Sequence, residues 1–193
     1  MSRTREFNEK AALQRAMHTF WSKGFEATSL SDLTEAMGIA KSSLYAAFGD
    51  KEKLFARALD LYLEEISSER IEILRTARTA AQGIRAFLEH HIRVALDPRT
   101  PPGCLFVNSA VETDLLAEAT AGHVASRAKL GEAAIRDLLE RAQQTGEISR
   151  STDVRALALM IASISYGIHV MARMHADKRK LQAVADITLQ SLI

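Results

Sequence analysis

The chain has 193 residues, 47% hydrophobic and 25% charged, with a formal net charge of +1. This is an ordinary globular composition, long enough for a sizeable core, and the net charge gives no pointer to nucleic acid. A single Cys excludes an intrachain disulfide, the N-terminal MSRTREFNEK has no apolar signal core, and the apolar runs read as too short to cross a membrane. No metal-ligand spacing, glycine-rich phosphate loop, nucleophile elbow or HExxH is present, and the adjacent His90 and His91 point in different directions on a helix. The expectation is a cytoplasmic, nucleoid-associated protein that is not an enzyme and has no cofactor, metal or membrane partner.

In chain order, residues 5 to 23 read as a first helix with Leu13, Ala16, Met17 and Phe20 on one face. Gly24 closes it, and Phe25 is placed to pack back on the preceding turn. Ser29 can cap the next helix, with Asp32 three residues on at the capping-box position. Leu30, Leu33 and Met37 form its apolar stripe, Gly38 stops it, and Ile39 can plug the corner. In the following AKSSLYAAF, Leu44 and Phe48 face inward, which leaves Lys41, Ser42, Ser43 and Tyr45 outward near the helix N-terminus. A recognition helix uses that end to touch base edges in the major groove. Gly49 and Asp50 break the chain, and Asp50 can cap a helix from Lys51. Lys51 and the free N–H groups of that turn suit a DNA phosphate. Two short helices about a glycine turn, with another helix at once, are the layout of a helix-turn-helix DNA reader. Residues 1 to 53 hold eight Lys/Arg and seven Asp/Glu, so placement matters more than total charge. Arg3, Arg5, Lys41, Lys51 and Lys53 flank the reading helix.

The rest also reads as helix, over about 51 to 77, 80 to 96, 104 to 117, 121 to 145, 152 to 175 and 178 to 192, about nine helices in all. The loop DPRTPPG at 97 to 103 holds all three prolines. Gly146 with the STD at 151 to 153, and then Asp177, mark the later breaks. The last two helices carry more apolar surface than one core needs. That predicts a homodimer formed through residues 152 to 193, with Ala162, Ser163, Ser165 and Gly167 allowing close packing.

Residues 5 to 55 resemble the DNA-binding domain of the TetR/AcrR family. The matching positions include Leu13, Ala16, Phe20, Gly24, Phe25, Thr28, Ser29, Leu33, Met37, Gly38, Ile39, Lys41, Leu44, Tyr45, Phe48, Lys51 and Phe55. Ala40 departs from the family's usual Ser or Thr cap, and Ala46 and Ala47 stand where bulkier or polar residues are common. The resemblance implies an all-α protein: a three-helix helix-turn-helix domain over 1–50 and a helical ligand-binding and dimerisation domain over 51–193. The implied DNA-binding residues are Arg3, Arg5, Thr28, Ser29, Lys41, Ser42, Ser43, Tyr45 and Lys51.

The resemblance further implies an effector cavity in the C-terminal domain, and PPGCLFVNSAVE is similar to a segment in a subset of such regulators. Cys104, Asn108 and Glu112 are four apart, one polar helix face suited to a pocket wall. Phe87, His91, Tyr166 and His169 are the other ligand-binding candidates, with Phe106, Met160 and Met171 behind them. The expected function is a homodimeric repressor released from a palindromic double-stranded DNA operator by a small-molecule effector, with helix 51 to 77 as the lever. The alternative is a regulator answering to thiol modification at Cys104 or to a protein partner.

Overall fold

The computed structural model describes residues 7–191. Every regular element among them is helical, in nine rods. α1 is Glu9–Lys23, α2 Leu30–Met37 and α3 Lys41–Phe48. α4 is one continuous rod, α-helical over Lys51–Tyr62 and Ser68–Thr76 and π-helical over Leu63–Ser67 between them. α5 is Ala80–Ala95, α6 Leu105–Val111, α7 Glu118–Thr145, α8 Val154–Arg173 and α9 Lys178–Gln190.

Local side chains explain most boundaries. Asn8 accepts from the Ala11 N–H at 3.0 Å, so α1 starts at Glu9. Ser29 and Asp32 form the expected capping box, each side chain accepting from the other's backbone N–H. Asp50, Asp153 and Asp177 cap α4, α8 and α9. Gly38 and Gly146 close α2 and α7 in the left-handed conformation, which a β-carbon would disfavour. Ala40 gives α3 no side-chain cap. The expected helix over 104 to 117 is shorter: α6 ends at Val111, and a 3₁₀ turn, Thr113–Leu115, precedes α7.

Two apolar cores result. One joins α1, α2, α3 and the first half of α4 around Phe20, Trp21, Leu33, Leu44 and Phe55. Cys104, Leu105, Phe106, Leu116 and Val124 complete that core from the other side, so the head is seated on α6 and α7. The other core joins the second half of α4 to α5, α7, α8 and α9 around Leu74, Ile84, Leu88, Leu139 and Ile161.

One expectation is overturned. By length and composition α8 is long and apolar enough to cross a membrane, with a mean hydropathy of 1.5 over its best 18-residue window. The sequence reading missed this because no stretch is uninterruptedly greasy: Ser163, Ser165, Gly167 and His169 dilute it. In this fold Leu157, Ala158, Ile161, Ser165 and Ile168 of α8 are buried within the helical domain. Its opposite side, with Leu159, Val170 and Met171, is exposed, as are Val184 and Ile187 of α9.

Candidate DNA-reading head and ligand cavity

α3 presents Lys41, Ser42 and Tyr45 to solvent, with Ser43 half-buried beside them. Leu44 and Phe48, on the other side of the same two turns, are buried in the head core. The Lys41 ammonium lies 6.0 Å from the Tyr45 ring centroid, so cation and aromatic share one exposed patch. Free N–H groups at the uncapped start of α3 add to the donors on that patch.

The other expected DNA contacts are placed differently. Thr28 is fully buried, and its hydroxyl donates to the Gly24 carbonyl at 2.6 Å. It closes the turn before α2 and offers no side-chain atom to a phosphate, which corrects the sequence assignment. Ser29 is exposed, yet its hydroxyl is engaged with Asp32 at 2.7 Å. Lys51 is half-buried; its ammonium donates to the Glu26 carbonyl at 3.3 Å and lies 4.4 Å from the Phe25 ring centroid. Arg3 and Arg5 lie outside the described residues. Lys23 pairs with Asp32 at 2.6 Å, binding α1 to α2. That bond and the Ser29 hydrogen bonds hold the Asp32 carboxyl well below the usual carboxylate range. Arg15 donates to the Met37 carbonyl at 3.1 Å, a second tie between the same helices.

The C-terminal domain holds a cavity of about 810 Å³, open to solvent on one side and within the range of small-molecule sites. Leu63, Arg70 and Leu74 of α4, Phe87 and His91 of α5, Phe106 of α6 and Tyr166 of α8 line it. The π-turn brings Leu63 and Glu64 onto its wall, an example of a π-bulge beside a binding cavity. Asp60, Glu64 and Arg127 are exposed lining residues, whereas Arg70 and His91 are buried. His169 lies just behind His91, their ring nitrogens 2.9 Å apart. Burial, together with the Arg70 charge, pushes His91 well below the ordinary histidine value and His169 down to about 3.

The polar face Cys104, Asn108, Glu112 does not line the cavity. Cys104 is buried at the start of α6, where the Tyr62 hydroxyl donates to its sulfur at 3.0 Å. Desolvation of the phenol, with the thiol beside it, raises the Tyr62 pKa well above its ordinary value. Asn108 donates through its side-chain amide to the Trp21 carbonyl of α1 at 3.3 Å. The Glu112 carboxylate accepts from the Phe25 N–H at 2.8 Å and the Glu26 N–H at 3.5 Å. The face therefore points at the head. Asn108 and Glu112 of this face bind the end of α1 and the turn that follows it. Met160 and Met171 are outside the cavity and partly exposed. Glu52 makes a further tie, accepting from the Ala117 N–H at 3.0 Å.

Arg70 escaped the sequence reading, although a signal existed. It is the one charged position in the apolar series Leu63, Ile66, Arg70, Leu74, spaced to face one side of a helix.

An exposed reading helix on a three-helix head, joined by one long helix to an all-helical domain with a cavity, defines a helix-turn-helix regulator. Residues 12–58 match the model for bacterial regulatory proteins of the tetR family, and residues 80–188 match the tetracyclin repressor-like C-terminal domain. The chain is 32% identical to YezE of Bacillus subtilis, an HTH-type transcriptional regulator, over the whole of both chains. It is 31% identical to the HTH-type transcriptional repressor ComR of Escherichia coli, over 97% of this chain and 90% of that one. Among solved structures, a cysteine-substituted TetR family regulator CifR, complexed with a 26-base-pair double-strand operator DNA, superposes with a TM-score of 0.90 at 33% identity, covering both chains fully. The chain belongs to the TetR family of DNA-binding transcriptional regulators.

Proposed function

We propose that this regulator is a homodimeric repressor, working in the cytoplasm on the nucleoid, that leaves a palindromic operator when a small molecule fills the α4–α8 cavity. The observation that carries the reading is the double engagement of α4. Leu54, Phe55, Leu59 and Tyr62 of its first half are fully buried in the head core. Arg70 and Leu74 of its second half wall the cavity. A ligand that binds one α4 position better than another therefore shifts the head by its differential affinity. The division at residues 50 and 51 separates reader from lever. Within the head, Lys41, Ser42, Ser43 and Tyr45 are the base-edge candidates and Lys51 a phosphate candidate. ComR is named a repressor and CifR is described on operator DNA, and both support the direction of control.

The dimer is assigned to α8 and α9. Leu159, Val170, Met171, Met174, Val184 and Ile187 are exposed there, an apolar set that a second copy would cover. Two heads on one dimer suit half-sites on one DNA face. A thiol switch at Cys104 is the weaker reading, because the sulfur is buried against Tyr62. Duplex fragments from upstream of the protein's own gene, titrated in fluorescence anisotropy with and without extracts of candidate effectors, test the proposal. Saturable binding to one palindromic fragment, reversed by a small molecule, is expected. Equal binding to all fragments would overturn it.

A further inference from the structure

The cavity holds an unusual buried group. Arg70 is 8% exposed, lines the cavity, and has neither its Nε nor its Nη2 hydrogen-bonded among the described residues. Those two nitrogens form one edge of the guanidinium, the fork that matches the two oxygens of a carboxylate. This chain uses the same edge elsewhere. Arg75 grips Glu72 through Nε and Nη2 at 2.9 and 2.8 Å, and Arg99 grips Asp97 through the same pair at 2.9 and 2.7 Å. In Arg70 that edge is buried without a carboxylate, the neutral Tyr62 phenol being a neighbour of the guanidinium. An unpaired buried cation is costly and calls for a partner.

The histidines behind it supply no anion. The Gly103 carbonyl can only accept, so His169 Nδ1, 3.2 Å away, carries a proton. His169 is neutral, its Nε2 is therefore a lone pair, and His91 Nδ1 donates to it across 2.9 Å. His91 Nε2 is left as a buried lone pair without a partner among the described residues. Arg70 and His91 both line the cavity, so its inner end carries one cationic and one neutral side chain. The carboxylates on the lining, Asp60 and Glu64, are exposed, and Asp60 lies 2.8 Å from the His123 Nε2. The lining thus sets two cations, buried Arg70 and exposed Arg127, against two exposed carboxylates, so the positive charge that an anion meets away from water is that of Arg70. Leu74, Phe87 and Phe106 surround the remaining space with apolar surface.

We infer that the cavity selects an amphipathic carboxylate, its carboxylate group paired with the Arg70 guanidinium, which turns its unbonded edge to meet it, and its apolar body against Leu74, Phe87 and Phe106. The inference rests on the effector-site reading of this cavity and names its ligand class.

Benzoate, 4-phenylbutyrate and decanoate, each beside its primary amide, are the probes, titrated into the full-length protein by calorimetry. At least one acid binds about tenfold or more tighter than its amide, the yield of a charge-assisted fork. In Arg70→Met that preference disappears, and the ligand-free variant melts higher than wild type because the unpaired charge is gone. Arg70→Lys keeps the charge, loses the fork and retains only part of the preference. Equal binding of every acid and its amide, or no binding of any acid, would overturn the carboxylate assignment. A lower melting temperature in Arg70→Met with the acid preference intact would do the same. Operator anisotropy separates the two readings. An acid that binds through Arg70 but leaves the operator complex intact supports the site and defeats the effector reading. An amide that releases operator as well as its acid does the reverse.

Discussion

Removing the Glu112 carboxylate tests how the head is held. Its short bond to the Phe25 N–H, at 2.8 Å, joins a charged acceptor to a backbone donor in a half-buried turn. Such a bond contributes about 1.5–3 kcal/mol, and its loss leaves the N–H without its partner. The second contact, to the Glu26 N–H at 3.5 Å, is at the limit of hydrogen-bond geometry and adds little. Glu112→Ala should therefore cost about 2 kcal/mol. With a urea slope of about 2 kcal/mol/M, the midpoint falls by about 1 M. Glu112→Gln keeps one acceptor oxygen for Phe25 and loses the charge, so it should fall about half as far. The single tryptophan, Trp21, reports on this region directly, being fully buried in the head with its carbonyl accepting from Asn108. Its fluorescence in urea, at one fixed protein concentration, is the assay. Equal midpoints for wild type, Glu112→Gln and Glu112→Ala would refute the claim that this carboxylate fastens the head to the C-terminal domain.

Lowering the pH should weaken the fold well before the carboxylates titrate. His91 and His169 have depressed values when folded, so between about pH 6.5 and the folded values only the unfolded chain takes up their protons. Stability is then complete above pH 6.5 and falls as pH drops, by up to about 1.4 kcal/mol per pH unit for each histidine. Urea midpoints at pH 7.5, 6 and 5 check this, and a flat series contradicts it. Ile187, 65% exposed on α9, should sit in the dimer interface, so Ile187→Asp should sediment as the 21.3 kDa monomer where wild type sediments as a dimer. Lys41→Ala or Tyr45→Ala should lose about 1–3 kcal/mol on the true operator and less on random DNA. Lys51→Ala should weaken both alike and lower the salt slope by about one unit, and identical profiles for all three variants would end that division of labour. Cys104, 1% exposed, should react with a thiol reagent far more slowly in the folded protein than in urea, and equal rates would restore the thiol-switch reading.

What was legible in the sequence is what short-range chemistry decides. The Ser29–Asp32 box, the Asp50, Asp153 and Asp177 caps and the Gly38 and Gly146 closures all act within a turn of their own position. Each is set by neighbours three or four residues away, as is the inward-outward split of α3 that leaves Lys41, Ser42 and Tyr45 exposed. Helical spacing also shows which residues share a face. It does not show what that face meets. Asn108 and Glu112 were correctly placed on one polar side, but their partners Trp21 and Phe25 lie 87 residues away. Only the packing of α6 among α1, α4, α7 and α8 turned that side toward the head and left Phe106 to the cavity. The family resemblance places Thr28 among the DNA contacts, yet packing buries it and closes its bond to Gly24. Arg70 interrupts an apolar series in plain view, but its burial depends on α5, α7 and α8 closing around α4. Neighbours along the chain decide helix ends because those hydrogen bonds span a single turn. The cavity and the head's fastening are decided by surfaces that meet only once the rods have packed.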